Sequence, residues 1–208
     1  SAGTWKLGWW IDPNSGYSSG NGQDTEITVA SKETKTYDIT LQKADSTIYG
    51  KATKSNGDPM PWAWITADSR DPNEKKSADF YYFTNGSSSN NNGDYQLKVP
   101  AGTYFVGANM WPGSGYINPK RQKVTVDASK SAEVNLVFRV ADATISGSVK
   151  LNGSGTNDYV TSWSEDNGYA ETNANNNGDY ILNVSKGTKW HLKAVKEVDT
   201  DIYKSKEF

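Results

Sequence analysis

One short stretch occurs twice in this chain and constrains its fold more than any other feature. Residues 90–99 have the sequence Asn-Asn-Asn-Gly-Asp-Tyr-Gln-Leu-Lys-Val, and residues 175–184 have Asn-Asn-Asn-Gly-Asp-Tyr-Ile-Leu-Asn-Val. The Asn-Gly-Asp segment is typical of a turn, and the Tyr, Leu and Val that follow are spaced as on one face of a strand. A second turn, around the Gly-Thr pairs at residues 102–103 and 187–188, precedes another alternating run. Both copies therefore predict a β-hairpin with a turn at either end.

The internal similarity extends well beyond this stretch. Gly-Thr-Trp at residues 3–5 matches Gly-Thr-Tyr 99 positions later, and Ala-Asp-Ser-Thr-Ile at residues 44–48 matches Ala-Asp-Ala-Thr-Ile 97 positions later. A repeat of roughly 100 residues has the size of a small β-sandwich and not of a solenoid repeat. We therefore predict three parts: residues 1–43 are the C-terminal part of a first sandwich, residues 44–140 a complete sandwich, and residues 141–208 the N-terminal part of a third.

The complete repeat contains seven short runs rich in β-branched and aromatic residues and bounded by Gly, Pro, Asn or Asp. These predicted strands are residues 47–54, 63–68, 80–84, 95–99, 103–110, 123–126 and 134–138. No segment has a helical period over more than a turn. Short strands with one apolar face are best buried as two stacked sheets, so the predicted fold class is all-β.

Three segments of the complete repeat carry a resemblance to a known family. Residues 47–52, 57–67 and 92–104 contain a strand with Gly, a Gly-x-Pro turn, an apolar strand, a Gly-x-Tyr segment and a Pro-x-Gly-Thr-Tyr turn. In these motifs the chain resembles the carboxypeptidase regulatory-like family, close to prealbumin-like and Cna-B-type domains. The resemblance implies tandem seven-stranded Greek-key β-sandwiches of immunoglobulin or prealbumin-like type. It also implies an extracellular or cell-surface protein of bacterial type, acting as a stalk, fibre or adhesin segment.

Composition and motifs exclude several other classes of function. The net charge is −2 without a basic stripe, so we predict no nucleic-acid partner. There is no apolar run long enough to span a membrane. The chain has no Cys and a single His, His191, and the Asn-rich turns lack the ligand spacing of a calcium loop, so we predict no metal and no other cofactor. No acidic residue lies in a catalytic motif, and we predict no enzymatic activity.

Trp62 and Trp64 are the first pair of candidate binding residues. In a strand, the small apolar side chains Ala63, Ile65 and Ala67 share one face and are expected to point inward, so both tryptophans face outward. Two exposed indoles on one strand form a stacking platform for a sugar ring, which makes a carbohydrate-binding module the alternative function. The other interpretation is that the indoles pack under the charged loop that follows or against a neighbouring repeat.

The other candidates, Trp10, Tyr17, Trp111 and Tyr116, belong to two matching loops. Both loops contain Pro, Gly, Ser and Tyr, and we expect them at one end of the sandwich. Aromatic loops in this place either bind a ligand or hold one repeat against the next, and we favour the joint between repeats.

The incomplete outer repeats predict open strand edges, which invite pairing with another chain. We hypothesise that the tail of one copy and the head of the next supply each other's missing strands, as in donor-strand pairing. The competing hypothesis is that the chain is a segment of a longer protein whose neighbouring repeats fill those edges. The expected partners are therefore other copies of itself or neighbouring repeats, with a glycan as a further partner of the tryptophans.

Overall fold

The computed structural model describes residues 2–7, 11–12, 15–18, 25–69, 85–198 and 201–204. These residues form β-strands, turns and irregular segments. Within the same ranges, no helix is long and apolar enough to cross a membrane. The predicted all-β fold class is confirmed.

The N-terminal residues form two separate two-stranded ribbons, which we call the N-terminal ribbons. Their strands are β1 (Gly3–Leu7), β2 (Tyr17–Ser18), β3 (Thr25–Val29) and β4 (Gln42–Lys43). β1 pairs antiparallel with β3, and β2 pairs antiparallel with β4. Residues 33–41, between β3 and β4, are irregular.

The middle of the chain forms two stacked sheets, which we call the central sandwich. Its strands are β5 (Ser46–Lys54), β6 (Trp64–Asp68), β7 (Asn85–Ser88), β8 (Asp94–Val99), β9 (Gly102–Asn109), β10 (Tyr116–Ile117), β11 (Gln122–Val126), β12 (Ser131–Glu133) and β13 (Leu136–Val140). One sheet contains β5 with β8 on one edge and β12 and β13 on the other, followed by β10; the second has the order β11-β9-β6-β7. β12 and β13 run parallel to β5, whereas the remaining pairs are antiparallel.

The core of the central sandwich follows from the alternation of apolar residues along its strands. Side chains such as Ile48, Leu97 and Val99 of one sheet and Ile65 and Val106 of the other are buried in one cluster. Burying an aliphatic side chain of this size contributes about 1.5–3 kcal/mol. The alternation predicted from the sequence therefore accounts for most of this core.

The rest of the chain forms a second core, built by strands that we call the C-terminal sheets. They are β14 (Ala143–Ser148), β15 (Lys150–Leu151), β16 (Ser154–Gly155), β17 (Tyr159–Ser164), β18 (Gly168–Asn173), β19 (Asp179–Val184), β20 (His191–Val198) and β21 (Asp201–Lys204). β14 pairs with β19, β15 with β16, and the order of the four-stranded sheet is β18-β17-β20-β21. The buried residues of this core are Val160, Ala170, Ala174, Leu182 and Val184.

The predicted hairpins are wrong, although their turns are right. β8 pairs with β5, whereas the next strand, β9, pairs with β6 and β11 in the opposite sheet. In the second copy β19 pairs with β14, and β20 pairs with β17 and β21. Alternating apolar residues fit two strands that face each other across a core as well as two strands side by side, so periodicity does not separate these arrangements.

The Asn-rich turns are built in the same way in both copies. The Oδ1 atom of Asn90 accepts hydrogen bonds from the backbone nitrogens of Asn92 and Asp94, both at 2.9 Å. Asn175 forms the equivalent pair of bonds, also at 2.9 Å each. These side chains stabilise the turn through their own oxygen, which explains the repeated Asn without a metal ion.

Two strand predictions differ in detail from the structure. The last predicted strand, residues 134–138, overlaps only β13, which begins at Leu136, and the short strands β10 and β12 were not predicted. The predicted strand at residues 80–84 lies outside the described residues, and the strand described next to it is β7.

Candidate functional site

Trp62 and Trp64 are both exposed, as expected, at 63% and 41% of their surface. They do not belong to one strand, which corrects the predicted platform. Trp64 is the first residue of β6, but Trp62 lies in the preceding turn. Ala63, Ile65 and Ala67, the predicted inward positions, are buried.

The backbone of Trp62 has an unusual conformation for a large side chain. Its φ angle is 63°, in the left-handed region that costs a non-glycine residue about 1–2 kcal/mol. The turn is fixed by hydrogen bonds to Ser89: the nitrogen of Trp62 donates to its carbonyl oxygen at 3.1 Å, and the nitrogen of Ala63 donates to its hydroxyl at 3.0 Å. The buried Ser89 thus fixes the strained backbone of Trp62, and the indole of this residue is exposed.

Trp111 and Tyr116 lie where the central sandwich meets the C-terminal sheets. A shallow groove at this place is lined by Met110, Trp111, Tyr116, Ala170, Glu171 and Ile181. Tyr116 packs against the central core, and the indole of Trp111 is exposed. The structure thus places this pair of aromatic candidates at the contact between two parts of the chain.

The contact between these two parts, which we call the joint, is held by backbone and side-chain hydrogen bonds. Asn118 and Tyr169 form an isolated antiparallel bridge, with N–O distances of 2.9 and 3.1 Å. The Tyr169 hydroxyl donates to the carbonyl oxygen of Ala108 at 2.9 Å. Residues of β9 and of the segment after β10 are therefore fixed to β18.

A partly buried glutamate completes the joint. The carboxylate oxygens of Glu171 accept hydrogen bonds from Tyr159 and, at 3.2 Å, from the Asn109 side chain. Burial raises the pKa of Glu171, although these hydrogen bonds and the nearby charge of Arg121 oppose the shift. Burial likewise raises the pKa of Tyr169. These polar residues could not be identified from the sequence. Polar residues alternate with apolar ones in β18, and this pattern is the same for a strand face in contact with solvent and for one in contact with another part of the chain.

Tyr17 is exposed on β2 of the N-terminal ribbons, while Trp10 lies outside the described residues. Tyr17 lies opposite Lys43 in β4, just as Tyr116 lies opposite Val140 in β13. Tyr17 therefore has, in the N-terminal ribbons, the place that Tyr116 has in the central sandwich.

The N-terminal ribbons reproduce part of the central sandwich strand for strand. Gly3 lies opposite Val29 in the pair β1–β3, and Gly102 lies opposite Val126 in the pair β9–β11. Even a cross-strand hydrogen bond recurs, between two threonine hydroxyls at 2.9 Å in β1–β3 and at 2.8 Å in β9–β11. One difference stands out: Trp5 is 50% exposed, whereas Tyr104, at the equivalent position, is 4% exposed.

The same difference continues along residues 34–41, which match β12 and β13 at an offset of 97 positions. In the central sandwich Val134, Leu136 and Phe138 are 4%, 0% and 0% exposed. The matching residues of the N-terminal segment, which we call the apolar row, are Tyr37, Ile39 and Leu41, and they are 42%, 45% and 44% exposed. Alternate apolar residues therefore face solvent in a segment whose counterpart fills a core.

The C-terminal sheets show the complementary difference. β14 and β19 pair in the same register as β5 and β8, since Ala143 lies opposite Val184 where Ser46 lies opposite Val99. Among the described residues, however, β14 has no strand on its other edge, where β5 carries β12 and β13. As a result Ile145 is only partly buried, whereas its counterpart Ile48 is fully buried.

The sequence contained the signal for these two surfaces, although our sequence analysis did not use it. The 97-residue offset places Tyr37, Ile39 and Leu41 on the inward positions of a strand. Acidic and histidine residues, by contrast, form no cluster that could hold a metal ion within the described ranges. The features that the structure offers for function are thus exposed aromatic residues, an apolar row and an open strand edge.

No family model matches the sequence, and no curated protein matches it. Among solved structures the chain is similar to a streptococcal ancillary pilin, with 10% identity, a TM-score of 0.37, and coverage of 99% of this chain and 71% of the pilin. It is also similar to the Bacillus anthracis TIE protein, with 14% identity and a TM-score of 0.38. That match covers 98% of this chain and 39% of the TIE protein. A third structure, described as a putative cell adhesion protein from Bacteroides ovatus, has 11% identity and a TM-score of 0.27, with coverage of 77% of this chain and 84% of that protein.

The two stacked sheets of the central sandwich are in accord with the prealbumin-like β-sandwich that the sequence resemblance implied. With identities of 10–14% and TM-scores of 0.27–0.38, the similarities to solved structures carry no argument about function.

Proposed function

We propose that this chain is a non-enzymatic structural segment of an extracellular or cell-surface protein, built of tandem β-sandwich repeats and assembling end to end by strand complementation. The three repeats are residues 1–43, 44–140 and 141–208, of which only the second is complete. Such a segment serves as a stalk, fibre or adhesin module.

The observation that carries this proposal is that two kinds of strand pair each occur twice in the chain with the same register. The pair β1–β3 has the register of β9–β11, and the pair β14–β19 has that of β5–β8. A repeated domain with its own core is the usual building block of elongated surface proteins, because length grows by adding units. The joint supports a mechanical role, since hydrogen bonds and buried side chains fix the two units at their contact.

Strand complementation is supported by the two unmatched surfaces at opposite parts of the chain. The apolar row exposes what the central sandwich buries, and the edge of β14 lacks the strand that β5 carries among the described residues. An open edge of this kind offers unpaired N–H and C=O groups along its length. Backbone hydrogen bonds would give such pairing its affinity, and the pockets for alternate side chains would give it its register.

Assembly of the 208-residue chain in solution tests the proposal. We expect the mass measured by light scattering to rise with concentration and electron micrographs to show linear particles. The double substitution Ile39→Asp and Leu41→Asp places two charges at buried positions of the contact, and we expect it to weaken association by about 100-fold.

Thr40→Asp is the matched control, because Thr40 lies between the two apolar residues and points to the opposite side of an extended chain. We expect this variant to assemble as the natural chain does. A natural chain that stays monomeric at all concentrations would rule out end-to-end assembly.

Carbohydrate binding by Trp62 and Trp64 is the second candidate function. The observation that favours it is the strained conformation of Trp62, because strained residues are concentrated at functional sites. If this function holds, replacing both tryptophans with Ala abolishes retention on a glycan array or column. The variant should still assemble, since neither indole belongs to the apolar row or to β14, and retention equal to that of the natural chain would reject the glycan site.

A further inference from the structure

We propose that the open edge of β14 binds residues 34–41 of a second copy of the chain as a parallel strand, with Thr36 opposite Ser146. This inference rests on the proposed function, because it specifies the contact through which end-to-end assembly is made. It would repeat, between two copies, the contact that β12 and β13 make with β5 inside the central sandwich.

The central sandwich supplies the register. There Glu133 lies opposite Tyr49, and the nitrogen of Val134 donates to the carbonyl oxygen of Tyr49 at 2.8 Å. The residue 97 positions before Glu133 is Thr36, and the residue 97 positions after Tyr49 is Ser146. Both offsets equal the 97-residue offset of the sequence repeat. One chain therefore contains a counterpart of β12 in residues 34–41 and a counterpart of β5 in β14, but does not pair them with each other.

The binding segment has the side chains that the contact needs. In this register the apolar row occupies the inward positions that Val134, Leu136 and Phe138 fill in the central sandwich. Asp38 occupies the position of Asn135, whose Oδ1 atom accepts a hydrogen bond from the nitrogen of Lys51 at 2.9 Å. A carboxylate oxygen of Asp38 can accept the equivalent bond from the nitrogen of Ser148.

The edge of β14 has the space that the contact needs. A Cβ atom on Gly50 would lie 1.9 Å from the carbonyl oxygen of Val134, so only glycine lets the neighbouring strand approach β5. Gly147 is the equivalent residue of β14. A Cβ atom there would meet the ring of Tyr180, the closest atom being the hydroxyl at 2.8 Å. Gly147 therefore leaves a notch like that at Gly50, which the end of the Tyr180 side chain fills in the single chain and vacates when a strand enters.

The edge of β14 also has a hydrogen-bond donor for the incoming strand. In the central sandwich the hydroxyl of Tyr95 donates to the carbonyl oxygen of Val134. The equivalent hydroxyl, on Tyr180, has no hydrogen-bond partner among the described residues. In the proposed register the carbonyl oxygen of Tyr37 from the second copy takes the place of that of Val134.

The resulting contact joins two different surfaces, one near the start of a chain and one in its C-terminal part. A head-to-tail contact of this kind does not close on itself in a pair and leaves one free surface of each kind at the ends. Open linear particles are the expected product.

Single-cysteine variants test the register, because the natural chain contains no Cys. A chain with Thr36→Cys is mixed with a chain of different mass that carries Ser146→Cys, and the mixture is oxidised. Directly opposed residues are close enough for a disulfide, whereas a shift of two residues along a strand places the Cα atoms beyond the roughly 7 Å limit. We expect the mixed disulfide dimer to form about 10-fold more with Ser146→Cys than with the control Ser148→Cys.

The outcomes separate the register from the assembly. More dimer with Ser148→Cys, or linear particles without either mixed dimer, would overturn the register and leave the proposed assembly in place. Absence of linear particles altogether would overturn both. A chain with both Thr36→Cys and Ser146→Cys that forms its disulfide within one monomer would overturn the second copy as the occupant.

A second variant tests the notch without cysteine chemistry. Gly147→Val fills the space that the incoming backbone needs, and within one chain it displaces only the end of the Tyr180 side chain. We expect this variant to keep the thermal unfolding temperature of the monomer and to lose assembly about 100-fold. Thr161→Val is the control, since Thr161 lies in β17 and away from the edge of β14, and assembly should be unchanged; equal assembly of this variant and of Gly147→Val would contradict the proposed contact.

Discussion

Replacing Leu136 with Ala is expected to lower the free energy of unfolding of the central sandwich by about 2–5 kcal/mol. Leu136 begins β13, lies opposite Ala52 of β5 and is fully buried in the core. Truncation removes its contacts and leaves a cavity between the two sheets. Urea denaturation followed by tryptophan fluorescence measures the loss, and a change of less than about 1 kcal/mol would mean that β13 does not close this core.

Ile39→Ala is the matched control for this prediction. Ile39 stands 97 positions before Leu136 in the repeat but has nearly half of its surface exposed. At concentrations too low for assembly, we expect its truncation to cost about 1 kcal/mol or less. Similar costs at the two positions would show that residues 34–41 are packed in a core of the isolated chain, against the exposure on which the assembly proposal depends.

The second large effect is expected at Gly168, in the joint. Its φ angle is 92°, and a Cβ atom there would lie 2.0 Å from the carbonyl oxygen of Asn118 and 3.0 Å from the nitrogen of Lys120. Gly168→Ala should therefore separate β18 from the central sandwich and break the bridge between Asn118 and Tyr169. We expect a loss of about 3 kcal/mol or more in the stability of the C-terminal sheets.

Gly153→Ala isolates the contribution of the backbone angle. Gly153 has a φ of 86°, close to that of Gly168, but no atom lies within 4 Å of a Cβ built there. We expect a cost of about 1–2 kcal/mol from the left-handed conformation alone. Hydrogen exchange of the amides of β18 compares the variants: protection should fall in Gly168→Ala and stay in Gly153→Ala. Equal effects would show that the joint contributes nothing to stability.

Much of the fold could be predicted from single residues and their spacing. The burial of Ala63, Ile65 and Ala67 follows from their spacing at every second position, because a core needs one apolar face on each strand. The turns at Asn90 and Asn175 follow from local chemistry, since a side-chain oxygen binds backbone nitrogens two and four residues later. Local rules of this kind act within a few residues and need no knowledge of distant strands.

The pairing of strands could not be predicted in the same way. β8 and β9 have the alternation of a hairpin and yet lie in opposite sheets, because the pattern defines an inward face and not the neighbouring strand. Trp62 and Trp64 were expected to share one face of a strand, but Ser89, distant in sequence, holds Trp62 in a turn.

By itself, the sequence determined that this protein consists of β-strands with inward apolar faces, since periodicity and turn chemistry are local properties. Only the tertiary structure decided which copies of a strand are covered. Ile39 and Leu136 have the same place in the repeat, but one is exposed and the other buried. Burial depends on what lies across the sheet, and for Leu136 the residues that cover it are distant in sequence.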